Sequence, residues 1–163
     1  MEDVPDFVKF KWKDKKNDLM NFHIIIKVLN KKSLWYGGTY YISFNIPKLY
    51  PIDKPSCHWV CSDKITKQMA GCAPIYHPNI NLKGDICLNI LSKDPKDGWK
   101  PIYTIENIYY GLISLLNDTC NKYDPLNKEA AALMIDNEKE FRKVVRSTMK
   151  GNSYKGQKFW KSL

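Results

Sequence analysis

Two side chains suited to acyl transfer lie eight positions apart in the stretch Tyr76–Leu91. Asn79 ends a His-Pro-Asn triplet that begins at His77, and Cys87 follows inside an apolar run. A thiolate is a natural acyl acceptor, and an amide N–H can donate a hydrogen bond to an oxyanion. Pro78 fixes φ and lacks a backbone donor, which disfavours a helix or a central strand. The stretch is therefore predicted to be a rigid loop that carries a nucleophile and a hydrogen-bond donor.

The residues around Cys87 predict that its thiol faces away from the core. Gly84 supplies a turn just before this segment, and Ile86 and Leu88 flank the cysteine. Neighbouring side chains of an extended segment point in opposite directions, so two apolar flanks in a core leave the thiol on the other side. The alternative is a buried core thiol, since free cysteine is among the most buried residue types.

Length and composition predict a single domain over residues 1–163. The chain is 44% apolar and 13% aromatic, which supports one sizeable core. It contains no apolar run that could span a membrane and no secretory leader, and its five cysteines show no pairing pattern. Because such thiols stay reduced inside the cell, the cytosol, the nucleus or both are the expected compartments.

The formal net charge of +9 suits three kinds of partner: nucleic acid, an anionic membrane or an acidic protein. The lysines are scattered in short clusters, and neither a basic helix nor an aromatic RNA-binding signature accompanies them. We therefore predict a solvated basic face, with no nucleic acid and no membrane as partner. A basic nucleic-acid module remains an alternative class, which salt-sensitive binding to duplex or single strands would identify.

Hydrophobic periodicity predicts strands in the first part of the chain and helices in the last. The predicted strands are residues 7–12, Phe22–Leu29, Thr39–Ile46 and Ser56–Val60. The predicted helices are Ile105–Leu116, Lys128–Asp136 and a third that ends near Lys150. Thr104 and Asn127 are the expected N-caps, and Gly151 is the expected stop. The aromatic tail Tyr154–Leu163 is predicted to dock on the domain.

Three cysteines and a histidine are of the kind that binds structural zinc: Cys57, Cys61, Cys72 and His77. The gaps between the cysteines, three and ten residues, fit no zinc-finger spacing. Cys57 also lies in a predicted strand, and His77 belongs to the triplet. No metal and no cofactor is therefore predicted, and these cysteines are interpreted as free thiols.

Taken together, these motifs resemble the ubiquitin-conjugating enzyme family. The matching features are the His-Pro-Asn triplet, its spacing to Cys87, the following Leu-Asn-Ile-Leu and three downstream segments in the same order. Those segments are Trp99–Pro101, Thr104–Ile105 and Asp124–Asn127. The combination covers most of the chain and is far more specific than any single motif.

The resemblance implies an α/β (α+β) fold, in which a four-stranded antiparallel meander carries helices on one face and at its C-terminal end. It also implies a transferase that holds a modifier as a thioester on Cys87 and passes it to a lysine. Asn79 is then the expected oxyanion donor, and Asp124 is expected to orient or deprotonate the lysine. His77 and Pro78 are expected to be structural. The alternatives are a bracing role for Asn79 and ordinary turn chemistry for Asp124.

Within the family, the neddylation-conjugating enzymes are the most similar group. The features that carry this match lie in the segments Ile108–Leu112, Asp124–Ala131 and Val145–Phe159. The resemblance then implies a Nedd-type modifier, an activating enzyme, a RING-type ligase and cullin lysines as acceptors. Ubiquitin is the alternative modifier. An inactive binding scaffold is an alternative class, but it would require Cys87 to be absent or blocked.

The resemblance also assigns a ligase-binding surface by position. Tyr50, Pro51 and Ile52 belong to a proline-rich loop that forms part of this surface in the family. Pro101 and Ile102 are expected to contribute from a second loop. For the first loop, the alternative is a plain connection stiffened by prolines.

The sequence departs from the family pattern at three places. Only about half a dozen residues precede Phe7, so the N-terminal amphipathic helix that helps to bind the activating enzyme is not predicted. Cys61–Ala73 is an apparent insertion, and Asn117–Tyr123 lacks the family's usual Pro-Asn dipeptide. Weaker charging is the expected consequence of the first departure.

Overall fold

The computed structural model describes residues 4–61, 71–92, 94, 96, 98–117 and 124–163. Among these residues, four strands form one antiparallel sheet in the order β1-β2-β3-β4. The strands are β1 Val8–Trp12, β2 Asn21–Lys27, β3 Thr39–Asn45 and β4 Ser56–Val60. The predicted meander is confirmed, with strand bounds that differ from the prediction by one or two residues at most.

Every second residue of the central strands is buried on the same face of the sheet. In β2 and β3 these residues are Phe22, Ile24, Ile26, Tyr40, Ile42 and Phe44. The intervening residues point to the opposite face, as strand geometry requires. The sheet therefore has one apolar layer that the helices must cover.

Three helices follow within the described residues, and their starts are set by local capping. They are α1 Ile105–Leu116, α2 Lys128–Asp136 and α3 Glu138–Met149. Thr104 caps α1 in a capping box with Asn107. Asn127 and Asn137 each accept a hydrogen bond from the third residue of the helix that follows. The predicted bounds of α1 and α2 are confirmed, as is the predicted end of α3 near Lys150.

Helix α1 packs on the apolar face of the sheet. Ile108, Leu112 and Leu116 are buried and belong to the same core cluster as the strand residues. Phe10 of β1 meets Tyr109 edge to face, with ring centroids 6.3 Å apart. The helical stripe is therefore core packing, as predicted, and it holds α1 close to the loop that carries Cys87.

The C-terminal tail docks on the domain through main-chain hydrogen bonds. A short strand, β6 Lys158–Phe159, pairs in parallel with β5 Cys72–Ala73. The Trp160 N–H donates to the Ala73 carbonyl oxygen at 2.9 Å, and the Ser162 N–H donates to the Met149 carbonyl oxygen at 2.9 Å. The predicted docking of the aromatic tail is confirmed by these contacts.

Two of the departures noted in the sequence fall largely outside the described residues. These are residues 62–70 of the insertion Cys61–Ala73 and residues 118–123 of the segment Asn117–Tyr123. Within the part of the chain that the structure describes, no helix is long and apolar enough to cross a membrane.

Candidate active site

The His-Pro-Asn triplet is held in place by both ring nitrogens of His77. Nε2 lies 3.0 Å from the Leu115 carbonyl oxygen in α1, and Nδ1 accepts a 2.9 Å hydrogen bond from the Asn79 N–H. A carbonyl oxygen can only accept, so Nε2 carries the proton and the ring is neutral. Complete burial lowers the pKa of His77 to about 4. The imidazole therefore ties the loop to α1 without carrying a charge.

The loop is also tied to the segment that begins at Asp124. Pro78 is buried, and its carbonyl oxygen accepts a 2.9 Å hydrogen bond from the Asn127 N–H. The side chain of the same asparagine caps α2 by accepting from the Ala130 N–H at 3.1 Å. One residue thus joins the start of α2 to the triplet, which brings Asp124 to the same part of the molecule.

The main chain holds Cys87 next to Asn79. The Cys87 N–H donates to the Asn79 carbonyl oxygen at 2.8 Å. The turn between the two residues closes at Gly84, whose φ of 94° favours glycine. A Cβ at this position would lie 2.0 Å from the Trp59 carbonyl oxygen. Because only glycine fits there, the turn lies directly on β4 and fixes the position of the thiol.

Cys87 and Asn79 line one groove beside α1, with a volume of about 290 Å³. The groove is lined by Asn79, Cys87, Leu88, Asn89, Ile90, Asn107, Gly111, Ser114 and Leu115. Gly111 permits the close approach of α1, because a Cβ there would lie 2.9 Å from the Leu88 side chain. Asn79 is fully buried in the wall, whereas Cys87 is half-buried. The groove therefore gives access to the thiol.

Two effects raise the pKa of the Cys87 thiol. Burial is the larger, and the negative charge of Asp124 adds to it. Since charge interactions weaken with distance, this second effect means that the carboxylate lies near the thiol. Asp124 is exposed to solvent, where an incoming amine can reach it. The structure thus brings together the three residues to which the resemblance gave catalytic roles.

The five residues assigned to ligase binding lie on two neighbouring loops, away from the groove. The Trp99 indole N–H donates to the Pro51 carbonyl oxygen at 2.8 Å, and its ring lies 6.0 Å from that of Tyr50. Ile52 and Ile102 are 70% and 81% exposed. Pro101 precedes Ile102 on the same loop and is also exposed. The two loops therefore present apolar side chains to solvent, and their role stays a prediction.

The other described cysteines are buried and are not arranged as a metal site. Burial raises the pKa of Cys57 to about 12, and the Cys61 thiol lies 2.9 Å from the Cys72 carbonyl oxygen. His77 uses both ring nitrogens in the hydrogen bonds described above. Among the described residues, no group of three or more His, Cys, Asp or Glu side chains is placed to hold a metal ion.

Three contributors to the site were not identified from the sequence. They are Gly111, the Leu115 carbonyl group and Lys54, whose ammonium donates to the last carbonyl group of the 3-10 turn Asn89–Leu91. A glycine inside a helical stripe is a signal of close approach, and it could have indicated the first. The other two contacts join distant parts of the chain and leave no local pattern.

Comparison with known protein families and sequences gives three matches. The model of a family described as ubiquitin-conjugating enzyme matches residues 1–149. The chain is 37% identical over 161 residues to the NEDD8-conjugating enzyme Ubc12 of Dictyostelium discoideum, and 42% identical over 126 residues to the NEDD8-conjugating enzyme UBC12 of Saccharomyces cerevisiae. The alignments cover 99% and 76% of this chain. It spans 61% and 56% of the length of these two relatives.

Two solved structures resemble the chain over most of its length. S. cerevisiae Ubc12 matches with a TM-score of 0.76 at 30% identity, over 96% of this chain and 77% of that one. The E2 domain of a Toxoplasma gondii ubiquitin conjugating enzyme matches with a TM-score of 0.64 at 27% identity, over 80% and 79%. These matches confirm the fold that the sequence motifs predict.

Proposed function

This chain belongs to the ubiquitin-conjugating enzyme family, and we propose that it carries a Nedd-type modifier as a thioester on Cys87 and transfers it to substrate lysines. The observation that carries the proposal is the shared groove, in which the thiol lies beside the buried Asn79 and near the charge of Asp124. A nucleophile, a hydrogen-bond donor and a carboxylate are the groups that two successive acyl transfers require.

In the first transfer, the Cys87 thiolate attacks the carbonyl carbon of the modifier's thioester on the activating enzyme. A C–S bond to Cys87 forms, and the activating enzyme's thiolate leaves. The two thioesters are nearly equal in free energy, so a small thiolate fraction is sufficient and no strong base is needed. This tolerance is consistent with a thiol whose pKa is raised by burial and by Asp124.

In the second transfer, a lysine amine attacks the thioester on Cys87. The C–N bond forms, the C–S bond breaks, Cys87 leaves as the thiolate and the amine loses a proton. The amide of Asn79 donates to the oxyanion that develops on the carbonyl oxygen. Asp124 orients the amine or accepts its proton from the solvent side of the site.

The names of the relatives support a Nedd-type modifier, since both are NEDD8-conjugating enzymes. An activating enzyme would supply the modifier, and a RING-type ligase would bind the exposed loops that carry Ile52 and Ile102. Cullin lysines are the proposed acceptors, and the cytosol or nucleus is the proposed compartment. Ubiquitin is the second candidate modifier, which the description of the family supports.

A charging assay tests the proposal with purified activating enzymes and both modifiers at equal concentration. The neddylation system should charge Cys87 faster, and reductant should release the adduct. Cys87→Ser should form a reductant-resistant oxyester, whereas Cys57→Ser, which alters a buried thiol, should charge like the parent. A clear preference for ubiquitin would overturn the choice of modifier. A reductant-sensitive adduct on Cys87→Ala would overturn the assignment of the nucleophile.

A further inference from the structure

The face of the sheet opposite α1 is basic. The four strands β1 to β4 contain no Asp or Glu. Strand alternation places Lys9 and Lys11 of β1 on this face, and both are exposed. Tyr41 and Ser43 of β3 and His58 of β4 lie on the same face. The open surface therefore presents cations along one edge strand, beside polar residues on the inner strands.

His23 of β2 lies in the middle of this face, with Lys11 and Ser43 as its cross-strand neighbours. Its side chain is only 5% exposed, and its Nδ1 has no hydrogen-bond partner among the residues that the structure describes. Burial, followed by the charge of Lys11, lowers the pKa of His23. The ring is therefore neutral at physiological pH and holds an unsatisfied polar atom, which is unfavourable.

The nearest described carboxylate on this side of the molecule is already engaged. Asp85 lies 3.2 Å from the His58 imidazole and accepts a 2.7 Å hydrogen bond from the Asn81 side chain. It belongs to the turn that precedes Cys87 and not to a strand. An anion that reaches His23 and Lys11 must therefore come from another molecule or from outside the described residues.

We propose that this open face is a docking surface for an acidic polypeptide segment, whose carboxylates pair with Lys9 and Lys11 and reach the unpartnered nitrogen of His23. Alternate residues of an extended segment lie about 7 Å apart, which matches the spacing of two lysines at alternate positions of β1. Acidic residues at every second position would therefore meet both lysines at once. The charge complementarity comes entirely from side chains outside the catalytic groove.

Binding of such a segment would be coupled to proton uptake by His23. A carboxylate beside the ring favours the imidazolium and raises its pKa, whereas the free protein holds that pKa below 6.5. Affinity should therefore rise as the pH falls from the pKa of the bound state to that of the free state. Lys9 and Lys11 keep their charge throughout this range, and Ser43 does not titrate. The His58–Asp85 pair is the other titratable group on this face.

The test uses the full chain and a fluorescein-labelled peptide with glutamate at alternate positions among serines. Fluorescence anisotropy should give a dissociation constant several-fold lower near pH 6 than near pH 8. The double variant Lys9→Gln/Lys11→Gln should bind about fivefold to tenfold more weakly. Lys48→Gln/Lys139→Gln removes the same charge from exposed positions elsewhere and should bind like the parent. Equal losses in the two double variants would overturn the proposal.

The proton coupling has its own readouts. His23→Gln should retain binding near pH 8 and lose the gain near pH 6. If that variant does not fold, NMR titration of the parent should show the His23 pKa rising when the peptide is added. A pH gain that persists in His23→Gln, or a His23 pKa that the peptide leaves unchanged, would overturn the proposal. Tighter binding of duplex DNA or of phosphatidylserine vesicles to Lys9 and Lys11 would replace the acidic polypeptide with that ligand.

Discussion

Asn79 acts on the loop through its main chain as well as its side chain. Its N–H donates to the His77 imidazole, and its carbonyl oxygen accepts from the Cys87 N–H. Both hydrogen bonds persist when the side chain is shortened. Asn79→Ala should therefore leave charging unchanged and slow the discharge to lysine by about 10²–10³-fold, because the second transfer builds the oxyanion that the amide stabilises.

Single-turnover charging and discharge assays separate these two outcomes. Asn89→Ala is the matched control, since Asn89 is an exposed asparagine that lines the same groove. It should retain both rates. Equal losses in charging and discharge for Asn79→Ala would instead support the bracing role that the sequence left open.

Asp124 should have opposite effects on the thiol and on the amine. Its charge raises the pKa of Cys87, so Asp124→Asn should lower that pKa and speed alkylation by iodoacetamide at neutral pH. The same change should slow lysine discharge by about 10²-fold, with a larger defect at lower pH, where free amine is scarcest. The pH profiles of both rates measure this. Asp136→Asn, at an exposed carboxylate in α2, should change neither rate. Slower alkylation or a discharge defect that does not vary with pH would contradict the assigned role.

At the residue scale, the motif located the thiol, the amide and the carboxylate that the fold brings together. It did not show how Pro78 and Asn127 join the two segments, because that hydrogen bond spans nearly fifty residues. Nor could it show that Asp124 raises the pKa of Cys87, since such an effect depends on three-dimensional distance and burial.

At the level of elements, the helix starts were predictable and the tail strand was not. Thr104, Asn127 and Asn137 each satisfy a backbone N–H within three residues, so their signal is local. The pairing of β5 with β6 joins residues that are 86 positions apart. The aromatic side chains of the tail predicted docking but did not specify a parallel pairing with Cys72–Ala73.

Asn137 serves two helices at once, which makes it a test of capping. Its N–H donates to the Leu133 carbonyl oxygen at the end of α2, and its side chain accepts from the Glu140 N–H at 3.0 Å. Asn137→Ala loses only the second bond. It should cost about 1 kcal/mol and lower the melting temperature by about 2–4 °C, whereas Asn137→Ser should recover most of the loss.

Thermal and urea denaturation measure the effect, with Asn152→Ala as the control. Asn152 is exposed and its side chain bonds only the Ser147 hydroxyl within the described residues, so its loss should change stability little. An Asn137→Ala variant as stable as the parent would show that tertiary packing, and not the cap, fixes the start of α3.

Across the whole molecule, the active-site loop is built into the core. His77 lies between the Trp35 ring, 4.5 Å away, and the Leu115 carbonyl group of α1. Trp35 in turn donates its indole N–H to the Tyr76 carbonyl oxygen at 3.2 Å. Unfolding the sheet and disordering the loop should therefore be one cooperative event. The stability of the whole chain then depends on the protonation state of one imidazole in this loop.

Stability should fall in mild acid because His77 must be neutral to fold. Its pKa is about 4 in the folded chain, against an ordinary value of 6.5. Between these values the unfolded state binds a proton that the folded state does not, so the contribution is intact above 6.5 and is lost as the pH falls toward 4. The slope should approach about 1.4 kcal/mol per pH unit, roughly 3 kcal/mol in all. His23, whose pKa is also lowered, should add in the same direction.

Urea denaturation across this range measures the slope in the parent and in two variants. His77→Gln should be less stable at neutral pH, since it loses the ring's packing and its hydrogen bonds, yet its stability should depend less on pH. His58→Gln alters a half-exposed imidazole paired with Asp85 and should retain the slope of the parent. A parent whose stability is flat from about pH 7 to pH 4.5 would contradict the buried neutral ring. So would a full slope in His77→Gln, because the proton uptake would then belong to another group.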